Sequence, residues 1–497
     1  MNKHEISPLK QNKIKNKMKN MKNFKNYKNK NMITTNKCDN NGSVEKDLNK
    51  LAIGLNKSIL VQESKQKKDS ENGWHEIDWR KVEAKVRDLQ EKIVIATVKE
   101  DFKEVYRLQW VILKSFEAKA LAVRKIVNNK GGKTSGIDQI IWKGSKDYWK
   151  AIQDLTKIVE NPEAYKASPV RRVYIPKPNS KELRPLGIPT LIDRATQAIY
   201  HFGIDPVVEV GSDPNSFGFR KNRSTHDAIT AIRSLLDKKT HPRWILEADI
   251  SKCFDRISHD YLMKHTPIVH KMVLKQWLKS GIMEEMNYMD INEGTPQGGV
   301  ISPLLCNIAL NGLEELIKKS NPSKKGISPG VHVIRYADDM IITGKTRDIV
   351  EKNKEILSEF LKERGLELNE KKTLVTHIKT GFDFLGFNIR RIKWHPELNK
   401  DTDQDTVLII KPTVKGIKKL MASIRKIIVM NKPIQKIISE INPVLRGWGE
   451  HKRISYHSHE AIHGNSNSYK LIECNKCSGG SLFKKSIYYV WSTEAYI

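Results

Sequence analysis

Two adjacent acids set between apolar runs constrain this chain more than any other feature. Asp338 and Asp339 follow the largely apolar residues 331–334 and precede the apolar residues 340–342. A pair of acids at the tip of an apolar hairpin is costly if it is buried without partners. Asp is also a common turn residue, so a solvated turn is the alternative explanation. The pattern predicts two short strands around a polar turn that carries either a solvated or a functional carboxylate pair.

A second apolar stretch that ends in an acid favours the functional explanation. Residues 244–248 have a short buried-strand pattern, and Asp249 follows them directly. If this strand lies beside the hairpin in one sheet, Asp249 and Asp338 converge on one point. Convergent carboxylates are hard oxygen ligands that suit Mg²⁺ bound together with substrate phosphates. Two such ions about 3.5–4 Å apart can clamp the attacking 3′-oxygen and the leaving pyrophosphate of an in-line displacement.

Helices and short strands alternate along the centre of the chain. Apolar residues at helical spacing predict two or three helices over residues 76–128. Residues 170–176 alternate like a strand, and residues 183–189 fit its hairpin partner. Helical patterning returns in the Lys/Ile-rich residues 413–446. This mixture implies an α+β core followed by a smaller helical unit.

The charge balance points to a nucleic-acid partner. Lys and Arg number 88 against 57 Asp and Glu, which gives a formal charge of +31. Such an excess binds polyanions through counterion release, although a solvated basic surface kept for solubility is the alternative. No apolar run approaches the roughly 18 residues of a membrane span, and no signal segment opens the chain. We therefore expect no membrane partner and no secretion.

Seven segments, in a consistent order, resemble the group II intron-encoded reverse transcriptases and maturases. The resemblance extends over residues 75–455. The matching segments are residues 175–178 (IPKP), 183–189 (LRPLGIP), 248–255 (ADISKCFD), 294–305 (GTPQGGVISPLL), 336–339 (YADD), 365–373 (GLELNEKKT) and 384–387 (FLGF). Because so many matches occur in order, no single motif has to carry the resemblance.

The resemblance implies an α+β fold of the right-hand polymerase type. Fingers and a palm with an antiparallel sheet would be followed by a helical thumb or maturase domain. We expect residues 1–72 to be a disordered Lys/Asn-rich arm and residues 73–400 to be the reverse transcriptase with its N-terminal extension. Residues 401–465 would form a thumb/maturase RNA-binding domain, either whole or truncated, and residues 466–497 a divergent tail. The arm can be a basic nucleic-acid contact or low-complexity drift of an A/T-rich coding sequence.

The implied reaction is RNA-templated DNA synthesis assisted by two Mg²⁺ ions. Asp249, Asp338 and Asp339 would be catalytic. Asp249, Asp338 and the carbonyl of Ile250 would be metal ligands, and Asp339 would complete the negative cluster. The partners would be dNTPs and an RNA template with its DNA primer.

Five residues are implied to bind the nucleotide. Lys177 and Arg184 would neutralise the triphosphate, unless they contact only solvent or a phosphate backbone. Phe254 would close against the sugar and exclude a 2′-hydroxyl, unless it is a core aromatic. Gln297 would approach the nucleotide closely because glycines follow it. Lys372 is a candidate proton donor to the pyrophosphate, with a solvated lysine as the alternative.

The helical unit after residue 406 resembles the maturase domain, which binds the intron RNA and helps it to fold. Its best local match is residues 442–449 (NPVLRGWG). Arg446 and Arg453 would contact phosphates, and Trp448 would stack on bases or pack in a thumb core. The partner implied here is the group II intron RNA, and the implied activity is assistance of its splicing.

Two alternatives and one further site remain open on the sequence. The chain could be a splicing factor with an idle polymerase, or a retron-like reverse transcriptase outside introns. Cys474 and Cys477 form one Cys-x-x-Cys pair, which is only half of a zinc site. A plastid, a mitochondrion or the bacterial cytoplasm fits the A/T-rich composition and the lack of an import presequence. The oligomeric state is not predicted.

Overall fold

The computed structural model describes residues 73–457, apart from residues 177–182, 239, 241, 286, 324–325, 394–405 and 430–431. The predicted arm, the predicted tail, Lys177 and the Cys474/Cys477 pair lie outside the described residues. The predicted division into domains therefore remains a prediction. None of the described helices is long and apolar enough to cross a membrane.

The first part of the described chain is a helical layer packed around one long buried helix. Three helices cover residues 76–128, in agreement with the sequence pattern. The helices of this layer are α1 (Trp79–Val98), α2 (Phe102–Lys114), α3 (Phe116–Asn128), α4 (Ser145–Glu160) and α5 (Leu191–Gly211). Fully buried aliphatic residues such as Ile93, Ile112 and Ile199 join these helices into one core.

A small sheet follows α4 and includes the predicted hairpin. Strands β1 (Val170–Pro176) and β2 (Leu183–Ile188) pair antiparallel, with Ile175 opposite Arg184. Strand β1 also pairs in parallel with β4 (Ile282–Glu284), which in turn forms a hairpin with β5 (Asn287–Met289). A parallel pair of strands needs a long connection. Here more than 100 residues lie between the end of β1 at Pro176 and the start of β4 at Ile282.

The central sheet carries the predicted carboxylates. Its strands are β3 (Trp244–Ala248), β6 (Val333–Tyr336), β7 (Asp339–Gly344) and β8 (Leu374–His377), in the order β6-β7-β3-β8 and antiparallel throughout. Leu246 and Ile342 belong to the large core on one face, whereas Ile245 and Ile341 belong to a smaller core on the other. Because both faces are covered, the strands are almost continuously apolar in sequence.

Short helices connect and cover this sheet. They are α6 (Thr225–Leu236), α7 (Cys253–Arg256), α8 (His259–His265), α9 (Lys271–Leu278), α10 (Ser302–Leu310), α11 (Leu313–Ser320) and α12 (Arg347–Lys362). Helix α7 begins four residues after Asp249, so the chain turns directly from the strand into the region of Phe254. This arrangement places Asp249, Ile250 and Phe254 directly after the end of β3.

The last described part combines a third sheet with two helices. The strands are β9 (Phe382–Phe384), β10 (Phe387–Lys393), β11 (Thr406–Pro412) and β12 (Tyr456–His457), and the helices are α13 (Val414–Val429) and α14 (Ile434–Lys452). The end of α14 is tied to the turn between β9 and β10. The Lys452 ammonium donates to the carbonyl of Gly386 at 2.6 Å and lies 3.8 Å from the centre of the Phe387 ring.

Candidate active site

The register of the central sheet brings the three predicted acids to one end of it. Strand β3 pairs with β7 so that Ala248 lies opposite Met340, and one further position brings Asp249 opposite Asp339. Asp338 lies in the two-residue turn between β6 and β7, because Tyr336 pairs with Asp339. The arrangement therefore unites acids that are far apart in sequence, which the paired apolar stretches predicted.

The three carboxylates interact electrostatically. Partial burial raises the pKa of Asp339 to about 6, and the neighbouring Asp338 and Asp249 charges contribute to the rise. Burial also raises the pKa of Asp338, with a further contribution from Asp249. A divalent cation would relieve both the repulsion and the lost hydration, because carboxylate oxygens are its preferred ligands.

Two side chains from the turn before β8 hold Asp249. The Lys372 ammonium lies 3.0 Å from Asp249 Oδ2, and the Asn369 side-chain amide donates to the same oxygen at 3.2 Å. The hydrogen bond with Asp249 raises the pKa of Lys372. The backbone of the same turn runs beside Ile250, which forms an isolated antiparallel bridge with Leu368. The segment that carries two predicted metal ligands is therefore fixed along its length.

The donor set suits a divalent metal ion in its chemistry. Asp249, Asp338 and Asp339 supply several hard oxygens within one electrostatic cluster. Among the described residues, no group of three or more His, Cys, Asp or Glu side chains is already arranged to hold a metal ion. The acids therefore fit such an ion by type and charge, while their side chains remain directed partly to other partners, such as Lys372.

Strand β2 carries Arg184 and contacts the loop that carries Gln297. Arg184 is exposed on β2 and lowers the pKa of Asp338 by its positive charge, opposing the effect of burial. The Gln297 carbonyl accepts from the amide of Gly187 at 2.7 Å, which fastens the Gln297 turn to β2. At Gly298, where φ is +115°, an added Cβ would lie 2.8 Å from the carbonyl oxygen of Gly187. This close approach explains why glycine follows Gln297.

Phe254 lies on α7 with its ring against another aromatic side chain. The centres of the Phe254 and Phe219 rings are 6.0 Å apart, with an edge-to-face angle of 72°. Phe219 is 47% exposed and has a φ of +60°, which is unusual for a bulky residue. The carbonyl of Phe254 accepts from the amide of Thr295 at 2.6 Å, so the same loop that carries Gln297 also fixes α7.

The predicted RNA-binding residues lie on or just beyond α14. Arg446 is exposed, Trp448 is half-buried, and Arg453 is exposed with its Nε 3.7 Å from a Glu450 carboxylate oxygen. Their position on the same helix end as Lys452 places them close in sequence to the contact with the β9–β10 turn. Their role in binding RNA remains a prediction.

Sequence reasoning missed several residues that shape the site. Gln197 of α5 is buried and accepts from the amide of Val300 at 2.8 Å, which holds the Gln297 loop from below. Asn369 and Phe219 contact predicted site residues directly, as described above. A polar residue inside the apolar pattern of α5 is the one signal that could have singled out Gln197.

Comparison with known families defines the class of protein. A family described as reverse transcriptase (RNA-dependent DNA polymerase) matches residues 175–389. A family described as the N-terminal domain of reverse transcriptase matches residues 74–155. The chain therefore belongs to the reverse transcriptases, which are RNA-directed DNA polymerases, and this membership implies a divalent metal ion and an RNA template.

Individual relatives of this chain include a group II intron-encoded protein and a maturase-like protein. Protein YkfC of Escherichia coli (strain K12) is 32% identical over 346 residues, which cover 62% of this chain and 88% of that protein. The group II intron-encoded protein LtrA of Lactococcus lactis subsp. cremoris is 29% identical over 380 residues, which cover 63% of this chain and 62% of LtrA. Maturase-like protein 1 of Euglena gracilis is 26% identical, covering 76% of this chain and 77% of that protein. The chain is thus similar to group II intron-encoded and maturase-like proteins within the reverse transcriptases.

Proposed function

We propose that this protein copies RNA into DNA with two Mg²⁺ ions bound by Asp249, Asp338 and the carbonyl of Ile250. The observation that carries the proposal is the strand register that brings Asp249, Asp338 and Asp339 to one end of the central sheet. The raised pKa values of Asp338 and Asp339 agree with it. When bound, the ions would activate the primer 3′-oxygen and stabilise the leaving pyrophosphate. Asp339 supplies additional negative charge that favours cation binding.

Basic side chains neutralise the incoming triphosphate. The positive charge of Arg184 lowers the pKa of Asp338, and its guanidinium would pair with phosphates held at the carboxylates. Lys177 would act from the same hairpin. Lys372 balances the charge of Asp249. As negative charge develops on the pyrophosphate, the Lys372 ammonium would move its contact from Asp249 to the pyrophosphate.

The sugar and base are positioned by the α7 region and the Gln297 loop. Phe254 excludes a 2′-hydroxyl by its size, and its contact with Phe219 restricts how far the ring can move away. The Gln297 turn, which Gly298 allows to lie close against β2, would contact the nucleotide. The preferred substrates are therefore dNTPs.

The protein also binds its parent intron RNA and assists its splicing, by analogy with its group II intron-encoded and maturase-like relatives. Arg446 and Arg453 would contact phosphates, and the half-buried Trp448 would offer a stacking surface. The chain spans only 62% of the length of LtrA. The splicing activity of a whole relative is therefore proposed for this chain and not taken as given. Relatives come from bacteria and from Euglena. We therefore propose that this protein is located in an organelle, preferably the plastid, or in the bacterial cytoplasm.

Primer extension on a poly(rA) template tests the polymerase. We expect the full chain to incorporate dTTP with Mg²⁺ and the Asp338→Ala, Asp339→Ala double variant to incorporate none, while splicing of the parent intron is retained. No incorporation by the unaltered chain would overturn the polymerase proposal and leave an RNA-binding splicing factor. A coding frame outside any sequence that folds as a group II ribozyme would favour a retron-like enzyme instead.

A further inference from the structure

A fully buried arginine lies directly beneath the turn that carries Asp338. Arg335 is in β6, three residues before Asp338, and only 1% of it is exposed. Burying a guanidinium is costly unless its charge and its N–H groups are satisfied. Such a residue next to a carboxylate site therefore needs a specific explanation.

The surroundings of Arg335 satisfy its charge and most of its fork. Nη1 donates to Asn307 Oδ1 at 3.1 Å and Nη2 donates to Asn311 Oδ1 at 3.3 Å. The buried carboxylate of Asp213 supplies the opposite charge. Asn307 lies in α10 and Asn311 directly follows it, whereas Asp213 lies just after α5, so two separate parts of the fold hold the guanidinium.

The remaining contact reaches the catalytic turn itself. Arg335 Nη1 also donates to the carbonyl oxygen of Ala337 at 3.2 Å. This carbonyl belongs to the peptide bond between Ala337 and Asp338, so the contact restrains the peptide from which Asp338 projects. Ala337 has a φ of +58°, a left-handed conformation that costs an L-residue about 1–2 kcal/mol. A fixed hydrogen bond to its carbonyl helps to keep this strained conformation populated.

The backbone of residues 215–218 also packs against the strand and turn that carry Asp338. The amide of Arg335 donates to Asn215 at 2.9 Å, and the Arg335 carbonyl accepts from Phe217 at 2.9 Å. At Gly218, an added Cβ would lie 2.2 Å from the Ala337 amide nitrogen. The turn is therefore held both by the backbone of residues 215–218 and by the Arg335 guanidinium.

We propose that Arg335 is a positioning residue that directs the Asp338 carboxylate, and so sets the affinity of the site for a divalent cation. The inference rests on the proposed function, because it assumes that Asp338 is a metal ligand. Lys carries the same charge but has no planar fork. It cannot satisfy Asn307, Asn311 and the Ala337 carbonyl in the same geometry, so Arg335→Lys tests the fork rather than the charge.

A matched control separates positioning from simple stability. Arg391 lies on β10 of the third sheet and is also buried, at 7% exposure. Its guanidinium donates to the carbonyl of Leu236 at 2.7 Å and to the hydroxyl of Thr406 at 2.9 Å. Mn²⁺ binding to the full chain with primer–template is measured by electron paramagnetic resonance, alongside thermal unfolding and RNA binding. We expect Arg335→Lys to weaken Mn²⁺ binding about 10-fold or more, equivalent to about 1.4 kcal/mol. Arg391→Lys should lower the melting temperature and leave Mn²⁺ binding unchanged.

The possible results distinguish the inference from the proposed function. If the unaltered chain binds no Mn²⁺ and extends no primer, the proposed function itself fails. If it does both but Arg335→Lys binds Mn²⁺ like the unaltered chain, Arg335 is only structural and the inference is overturned. Should Arg335→Lys fail to fold, Asn311→Ala is measured instead, since it removes one partner of the fork and keeps the charge. Unchanged Mn²⁺ affinity in that variant would likewise overturn the inference.

Discussion

The Lys372 ammonium lies 3.0 Å from the carboxylate of Asp249, joining the turn before β8 to the end of β3. Lys372 is 66% exposed on its side chain, so this contact forms at the open side of the acid cluster rather than in the core. A cation and an incoming triphosphate would approach from the same open side. Lys372 is therefore placed to exchange its contact with Asp249 for one with the phosphates.

Replacing Lys372 tests whether its charge or its proton is used. We expect Lys372→Met to reduce kcat/KM for dTTP by about 10–100-fold, because one phosphate-neutralising charge is lost. Lys372→Arg should recover most of this loss, because a guanidinium keeps the positive charge. Since a guanidinium is a very poor proton donor, such recovery would show that the charge of Lys372 is what the reaction uses. Single-nucleotide incorporation kinetics decide between the two. An arginine variant as slow as the methionine variant would mean that proton donation is the role of Lys372.

The ring contact between Phe219 and Phe254 leads to a prediction on sugar selectivity. Phe254→Ala should increase use of rNTP relative to dNTP by about 100-fold, because the ring that clashes with a 2′-hydroxyl is removed and pocket discrimination of one small group reaches about 10–200-fold. Phe219→Ala should shift the ratio in the same direction by a smaller factor, since Phe254 would lose its edge-to-face support.

The matched control for this prediction is Phe116→Ala. Phe116 packs with its ring 5.7 Å from that of Trp149 in the helical layer. This substitution should affect stability and leave the ratio of rNTP to dNTP use unchanged. An unchanged ratio in Phe254→Ala would show that Phe254 is a core aromatic, which is the alternative that the sequence left open.

Sequence patterning anticipated the acid cluster but not the residues that hold it. Asp249 and Asp338 could be paired in advance because each follows an apolar strand, and two such strands in one sheet can bring the acids at their ends together. Arg335 gave no such signal, because an arginine inside a short strand pattern normally indicates a solvent-facing position. Its burial depends on Asp213, Asn307 and Asn311, which are distant in sequence and meet only in the fold.

The same limit explains the other differences. The β1–β2 hairpin follows from local alternation and was predicted, whereas the parallel pairing of β1 with β4 depends on a long connection that no local pattern specifies. The contact of Lys452 with Gly386 joins a helix to a distant turn. Such tertiary contacts require the three-dimensional arrangement and could not be derived from spacing alone.

The raised pKa of Asp339 predicts that the acid cluster destabilises the folded protein to an extent that depends on pH. Its pKa of about 6 lies above the ordinary value of 3.8 because of burial and the neighbouring acids. The folded protein therefore binds this proton more tightly than the unfolded chain, and stability falls as the pH rises from about 4 to about 6. Asp339→Asn should raise the melting temperature in EDTA by about 1–2 °C above pH 6.

Thermal unfolding from pH 4 to pH 8 checks this prediction. The gain from Asp339→Asn should disappear below about pH 4, where Asp339 is protonated in both states. Added Mg²⁺ should stabilise the unaltered chain more than the variant, because a cation offsets the repulsion that the variant lacks. A gain of equal size at pH 4 and pH 8 would mean that ionisation of Asp339 is not its cause.

The end of α14 offers a test of intron RNA binding. Arg446→Ala combined with Arg453→Ala should weaken binding of the parent intron RNA and reduce the slope of log K against log salt concentration by about 1.4, at about 0.7 per lost contact with single-stranded phosphate. Filter binding over a series of salt concentrations measures both quantities. Arg347→Ala is the matched control, because Arg347 is an exposed arginine on α12 that pairs with Glu351 at 2.7 Å. If the Arg347 variant lowered the slope per arginine as much as the double variant, net charge alone would account for binding and α14 would have no specific part in it.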